Sequence, residues 1–195
     1  MSTRDLILER AIIAVEEGGE ASLRVRDLAS ECGITTPIIY RHFGSREGLV
    51  VAVQAARYRR SHLEVFETYD PITASTASAD EGRKLLRRFL EWVYGPDRAP
   101  YRSMRAGVIG SAVSRPELAA AIRDADAQFV ERFANLLRPF QQRGWVRPDL
   151  SLEAFAIWYL GQLDGRIHLE LAPLDVDPAA WNETSRRAIE CLLFG

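Results

Sequence analysis

The sequence is poor in several things, and each shortage excludes a class of protein. It has two cysteines, Cys32 and Cys191, nearly a chain length apart, which is neither a disulfide framework nor a zinc spacing. Both are read as reduced thiols. No apolar run approaches the roughly 18 residues of a membrane span, so no membrane partner is expected. The first residues place Asp5, Glu9 and Arg10 where a signal peptide needs apolar side chains, and a cytoplasmic location is expected. There is no glycine-rich phosphate loop, serine elbow or Cys–His pair, so no catalytic residue, cofactor or metal is expected. Strand signals are nearly absent, because valine and isoleucine recur at helical spacing. Lysine is almost missing too: Lys84 stands alone among 25 basic residues, a bias attributed to a GC-rich genome.

What remains is an ordinary globular composition, 47% hydrophobic and 27% charged, with length enough to bury a core without staples. The net charge of −2 conceals an asymmetry. Residues 34–60 hold five arginines (41, 46, 57, 59 and 60) against one acid, Glu47. A basic island in a slightly acidic chain is a candidate footprint for nucleic acid, and equally a solvated helix face.

Punctuation divides the chain into helices. Leu6, Ile7, Arg10, Ala11, Ala14 and Val15 make an amphipathic first helix stopped at Gly18-Gly19. A short second helix covers about Val25 to Glu31, and Gly33 supplies a left-handed turn. Thr35 has N-cap chemistry, Pro37 suits a first turn, and a third helix spans about Thr36 to Phe43. Ser45 caps a fourth, running to about Tyr69. After a small-residue connector at 72–79, further helices are expected over Asp80 to Tyr94, from a Ser114–Glu117 capping box to about Arg143, over Ser151 to Leu171, and from Asp177-Pro178 onward. The fold class is all-α: an N-terminal helix-turn-helix domain over 1–48 joined to a helical bundle over 49–195.

The stretch from Arg26 to Phe43 is a helix-turn-helix pattern, with Ala29 at the crossing, Gly33 in the turn, and Ile34 and Ile39 plugging the corner. Its outer face is left to enter a major groove. By itself the pattern suits an αα-hairpin packed into a core equally well. Residues 3–60 resemble the DNA-binding region of the TetR (tetracycline-repressor-like) regulators, through Val25-Arg26-Asp27-Leu28-Ala29, Gly33-Ile34-Thr35 and above all Ile39-Tyr40-Arg41-His42-Phe43-Gly44-Ser45-Arg46-Glu47-Gly48-Leu49. The resemblance implies that Tyr40, His42 and Arg46 contact backbone phosphates and that Thr36, Pro37 and Ile38 face bases, with Phe43 and Leu49 in the core. Thr35, Arg41 and Arg24 complete the expected DNA-binding set. The chain departs from the family at Arg24, usually Ser or Thr, and at Val15 and Glu20, usually aromatic.

The expected partners are therefore an operator on double-stranded DNA, a second copy of the chain and a small hydrophobic or aromatic effector. Trp92, Tyr101, Phe129, Phe133 and Tyr159, with Asp164 and His168 as a polar pair four apart, are the expected effector contacts. Gly161, Gly165, Trp181, Ser185, Ala188, Ile189 and Leu192 are the expected dimer contacts, since the family dimerises through its last two helices. The reading is a ligand-responsive repressor, associated with the nucleoid when bound to DNA. An all-α enzyme with a vestigial helix-turn-helix, or an activator, are the alternatives.

Overall fold

Ser2 opens the first helix with a capping box: its hydroxyl accepts the Asp5 amide at 3.2 Å while the Asp5 carboxylate accepts the Ser2 amide at 3.1 Å. The structure, a computed structural model, describes residues 1–171 and 174–195, and every regular element among them is a helix. α1 (Thr3–Ser22) is broken internally at Gly19, with φ 71° and ψ −177°, at the expected glycine pair. α2 (Val25–Glu31) and α3 (Thr36–Phe43) follow as expected, joined through Gly33 at φ 64°. Pro37 lies in the first turn of α3, but Thr35 makes no side-chain cap bond. Ser45 does cap α4 (Arg46–Ala74), accepting the Gly48 amide at 2.9 Å, and α4 runs through Pro71, past the expected end.

Beyond α4 the helices depart further from the expected boundaries. α5 (Ala79–Tyr94) begins at Ser78, whose hydroxyl accepts the Glu81 amide. A 3₁₀ turn (Pro96–Arg98) then leads into α6 (Ala99–Ala112), a helix that the sequence reading did not anticipate. Its inward face carries arginine where an apolar period would be sought. The Ser114 capping box does not form: Ser114 donates to the Ser111 carbonyl, and the Arg115 carbonyl accepts the Ala119 amide at the head of α7 (Pro116–Gln142). The single helix expected over Ser151 to Leu171 is two, α8 (Leu152–Gly165) and the four-residue α9 (His168–Leu171). The ladder tightens between them, with the Ile167 amide donating to the Asp164 carbonyl, and this buries Arg166 and Ile167. α10 (Pro178–Phe194) is capped by Asp177. Among the described residues, no helix is long and apolar enough to cross a membrane.

Packing divides the chain into two compact units. The first holds Met1–Arg60 and Val108–Ile122, and the second holds Ser61–Gly107 and Arg123–Gly195. The division expected after residue 48 is thus corrected. Leu49, Val50 and Val53 are fully buried in the first unit's core with Ile7, Ile12, Leu28 and Ile39, which keeps the start of α4 with α1 to α3. The second unit packs around Phe66, Phe89, Phe129, Phe133, Tyr159 and Ile189.

Gly48 marks the tightest approach in the first unit, because a methyl group there would overlap the Phe43 carbonyl oxygen. Helix propensity alone favours alanine over glycine by roughly 1 kcal/mol, but overlap with a backbone atom costs about 1–3 kcal/mol. Gly48→Ala should therefore lower stability in urea unfolding. Unchanged or higher stability would mean that the turn after α3 yields freely.

Candidate functional site

α3 is held by one side chain. Ile39 is wholly buried, and the opposite side of the helix faces solvent. Of the residues expected at DNA, Arg24, Thr35, Pro37, Tyr40, Arg41 and Arg46 are exposed, whereas Thr36, Ile38 and His42 are half-buried. Pro37, Tyr40 and Arg41 share one face by their spacing. No carboxylate side chain occurs between Glu31 and Glu47, so nothing on this stretch repels phosphate. Two of these residues carry other duties. Arg46 donates to the Leu23 carbonyl at 3.2 Å and the Glu20 carbonyl at 2.7 Å, tying the end of α1 to the start of α4. His42 has its Nε2 shielded from solvent and unpartnered, so this nitrogen is not presented outward. Arg24 heads α2 without a side-chain cap, in keeping with its departure from Ser or Thr.

The same unit holds a polar cluster that no sequence spacing announces. Arg115 makes a two-pronged bond to Glu20, 2.9 Å to Oε1 and 2.8 Å to Oε2, and its Nε donates to Glu47 at 2.6 Å. Gln54 donates to the same Glu20 at 2.7 Å. The Arg115 bond holds the Glu20 carboxyl below its ordinary range and raises the guanidinium. The signal was present as a departure: Glu20 stands where the resembled family has an aromatic, and the carboxylate makes by ion pairing a junction that a ring would make by packing.

Besides a polar groove of about 390 Å³ bordered by Asp70, Arg132 and Arg143, the described residues of the second unit enclose two cavities of different chemistry. The larger, about 70 Å³, is almost wholly apolar and is bordered by Tyr69, Leu86, Phe89, Phe133, Phe140 and Trp145. The smaller, about 20 Å³, is lined by His62, Arg98, Arg102 and Arg105 together with Tyr101, Phe129 and Tyr159. The expected effector residues thus divide: Tyr101, Phe129 and Tyr159 meet at the smaller cavity, and Phe133 borders the larger. Phe133 stacks on Tyr159, ring centroids 5.4 Å apart. Trp92 borders neither; it packs against Tyr69 and Phe89 and lies under the Arg98 guanidinium at 4.3 Å.

The Asp164–His168 pair does not exist. α8 ends between them, His168 is exposed on α9, and Asp164 instead accepts from Arg105 Nε at 3.0 Å. The dimer stripe on α10 is corrected in part as well. Ser185 and Ile189 are buried in their own protomer, with Ser185 hydrogen-bonded to the Tyr94 hydroxyl at 2.8 Å. Trp181 packs edge-on against Tyr94, and Leu192 is half-buried against the same core. Gly161 and Ala188 are exposed and Gly165 is half-exposed. The residues that the sequence reading missed are the arginines. Arg98, Arg102 and Arg105 recur at helical spacing with only Asp97 as a neighbouring acid, a signal that becomes legible once α6 is recognised as a helix.

His62 sits at the centre of this arrangement. Arg105 Nη1 lies 2.5 Å from its Nε2, and Asp126 is 3.7 Å away. An arginine donor at that distance requires the lone pair of a neutral imidazole, so the Asp126 contact is not an ion pair. Burial first, and the Arg105 charge second, push the His62 pKa down to about 3. A histidine in the unfolded chain titrates near 6.5, so below ~6.5 the unfolded chain takes up a proton that the folded one refuses. Stability should be unaffected above that value and fall as the pH drops toward 3, with a slope approaching about 1.4 kcal/mol per pH unit. Urea titrations from pH 7 to 4.5 should show that slope, reduced by one proton in His62→Gln. An identical slope in the variant would reassign the proton to another group.

Comparison with known proteins bears on the first unit most directly. The profile of the family described as bacterial regulatory proteins, tetR family, matches residues 7–53. The HTH-type transcriptional regulator UidR of Escherichia coli (strain K12) is 22% identical over 151 residues, covering 76% of this chain and 71% of that protein. A Rhodococcus sp. structure assigned to the TetR-family transcriptional regulators superposes with a TM-score of 0.69, at 22% identity over 98% of both chains. A transcriptional regulator from Saccharomonospora viridis, solved in complex with choline, gives a TM-score of 0.67 at 21% identity, covering 98% of this chain and 97% of that one. Residues 7–53 thus carry the signature of the bacterial regulatory proteins, tetR family, and the chain as a whole has the fold of the solved TetR-family regulators.

Proposed function

We propose that the chain is a homodimeric repressor, a binding protein rather than an enzyme, which leaves a palindromic operator when a small, largely hydrophobic effector enters its second unit. The observation that carries the DNA half is the outward face of α3. Pro37, Tyr40 and Arg41 are free, no acid intervenes, and Ile39 anchors the helix from behind. In this reading Thr35, Tyr40, Arg41 and Arg24 contact phosphate and sugar, while Thr36, Pro37 and Ile38 meet base edges and thymine methyls. Arg46 and His42 act chiefly by holding the corner that presents α3, since Arg46 already grips two carbonyls and His42 Nε2 faces inward.

Two features support the effector half. The second unit has cavities bordered by rings, and the Saccharomonospora viridis relative holds choline. α4 and α6 each contribute residues to both units. A dimer must span adjacent major grooves about 34–36 Å apart, so a small rearrangement suffices to weaken binding. For the dimer, the exposed small and apolar side chains Ala154, Ile157 and Gly161 on α8 and Ala180, Thr184 and Ala188 on α10 form the stripes that a partner copy would cover.

Selection from a random duplex pool should enrich a palindrome whose half-sites are one helical turn apart. If each protomer neutralises about three to five phosphates, log affinity should fall against log salt with a slope of roughly −5 to −9 for the dimer. Tyr40→Phe and Arg41→Ala should weaken every sequence together, whereas Thr36→Val and Ile38→Ala should change which bases are preferred. A slope near zero, or no enrichment, would refute the DNA-binding face.

Gly161→Leu tests the dimer separately. Its added Cβ meets nothing within 4 Å in the protomer and the position is exposed, and leucine favours the helix over glycine by roughly 1 kcal/mol. The protomer should hold or gain stability while sedimentation shows the dimer lost. A variant still dimeric at micromolar concentration would move the interface elsewhere.

A further inference from the structure

The smaller cavity of the second unit has three arginines in its lining and no carboxylate. Arg98, Arg102 and Arg105 are 8%, 2% and 2% exposed. Their acid partners lie behind them and are wetter, with Glu64, Glu170 and Asp164 side chains 36%, 16% and 30% exposed. The cations thus line the cavity while the acids do not, and Glu64 and Asp164 reach water, although Glu170 keeps its Oε2 sealed from solvent. Two donors there are unused. Tyr159, 2% exposed, lines the cavity with its phenol oxygen sealed from solvent and without a hydrogen-bond partner, and Arg98 Nε is sealed and unpartnered in the same way. An unmade bond at a buried donor costs about 1–3 kcal/mol, so two beside one cavity point to an acceptor that arrives from outside. The rest of the wall is apolar, with Phe129, Leu160 and Leu163.

We propose that this cavity is the anion subsite of the effector pocket and takes an organic monocarboxylate with an apolar body. The inference rests on the effector-responsive reading above and names the class of effector. A carboxylate is planar, accepts from a guanidinium in two-pronged fashion, and leaves lone pairs for a phenol donor. A quaternary ammonium, although suited to aromatic walls, would face three guanidiniums with no anion in the lining. A neutral amide presents one acceptor where the site offers several charged donors. An inorganic phosphate would bring no apolar body to meet Phe129, Leu160 and Leu163, and the cavity, which at about 20 Å³ holds about one water, must widen for any organic acid. Entry is by way of Tyr101, 38% exposed, on whose ring the Arg98 guanidinium rests at 3.8 Å. The incoming carboxylate takes its place beside Tyr159 and shares the inner arginines with the acids that already hold them.

The test uses the full chain, with thermal shift and calorimetry at constant ionic strength. Sodium benzoate, phenylacetate and octanoate are compared with benzamide and choline chloride. At least one acid should bind saturably and raise the melting temperature, since a ligand of the folded state stabilises it by mass action. Benzamide and choline should bind at least tenfold more weakly. Tyr159→Phe should lower affinity for the acid about tenfold, and the free variant should melt no lower than the parent, because the change deletes only an unpartnered hydroxyl. Arg98→Met should lower affinity comparably. Equal binding of choline or benzamide, no binding of any acid, or parental affinity in both variants would overturn the subsite. Operator affinity, measured on the selected palindrome, separates this from the broader reading. If an acid binds and operator affinity does not move, the subsite stands and the effector reading falls. If a neutral or cationic compound releases the operator while no acid binds, the subsite falls and the effector reading stands.

Discussion

An eight-residue helix does not hold itself together in water; isolated helices shorter than about 12–15 residues are marginal at best. α3 exists because Ile39 is wholly buried in the cluster of Ile7, Ile12, Leu28, Leu49 and Val50. That burial stabilises by about 1.5–3 kcal/mol, whereas a side-chain cap on Thr35, which is absent, would contribute about 1 kcal/mol. Packing therefore decides the matter, and everything α3 shows to solvent depends on it. The surrounding devices serve the same end. Gly44, at φ 75°, turns the chain out of α3, Gly48 lets α4 begin against the Phe43 carbonyl, and Arg46 and Arg115 bind the ends of α1 and α4.

The second unit meets a different constraint, the burial of arginine. Arg98, Arg102, Arg105 and Arg166 are each less than a tenth exposed. Arg102 is satisfied by the Val93 carbonyl at 2.6 Å, the Gly95 carbonyl at 3.1 Å and Glu170. Arg166 reaches Asn182 at 3.2 Å and Glu170 at 3.4 Å. Buried ion pairs are weak devices for stability, because well-packed apolar side chains of similar volume serve as well or better. The concentration of three of them, Arg98, Arg102 and Arg105, around one cavity whose lining has no acid is better accounted for by recognition than by folding. The neutral state of His62 belongs to the same arrangement, since a protonated imidazole would add a further cation beside Arg105.

Much of the first unit was readable from residues alone because its signals are local. Gly33, Pro37, Gly44-Ser45 and the Gly18-Gly19 pair act within a turn of where they sit, and the boundaries of α2 and α3 followed from them. The second unit was less readable because its signals are distributed. α6 hides its inner face behind Arg102 and Arg105, whose burial depends on Glu170 and Asp164, about 60–70 positions away in the chain. The break between α8 and α9 leaves no glycine–proline mark that the apolar run could not absorb, so Asp164 and His168 looked like neighbours on one face. Ser185 and Ile189 looked available to a partner because a stripe on α10 does not say which of its sides meets α5.

Sequence by itself determined the helical class, the helix-turn-helix and its family, because these rest on contacts between residues a few positions apart, whose geometry is set by backbone chemistry and period. Only tertiary structure decided where the first unit ends, which arginines are buried, which rings border which cavity and which faces of α8 and α10 remain open. Those depend on pairs such as Arg105 with Asp164 and Arg115 with Glu20, separated by 59 and 95 residues. Coulombic and hydrogen-bond partners at such separations carry no spacing rule, and only the folded chain can choose among them.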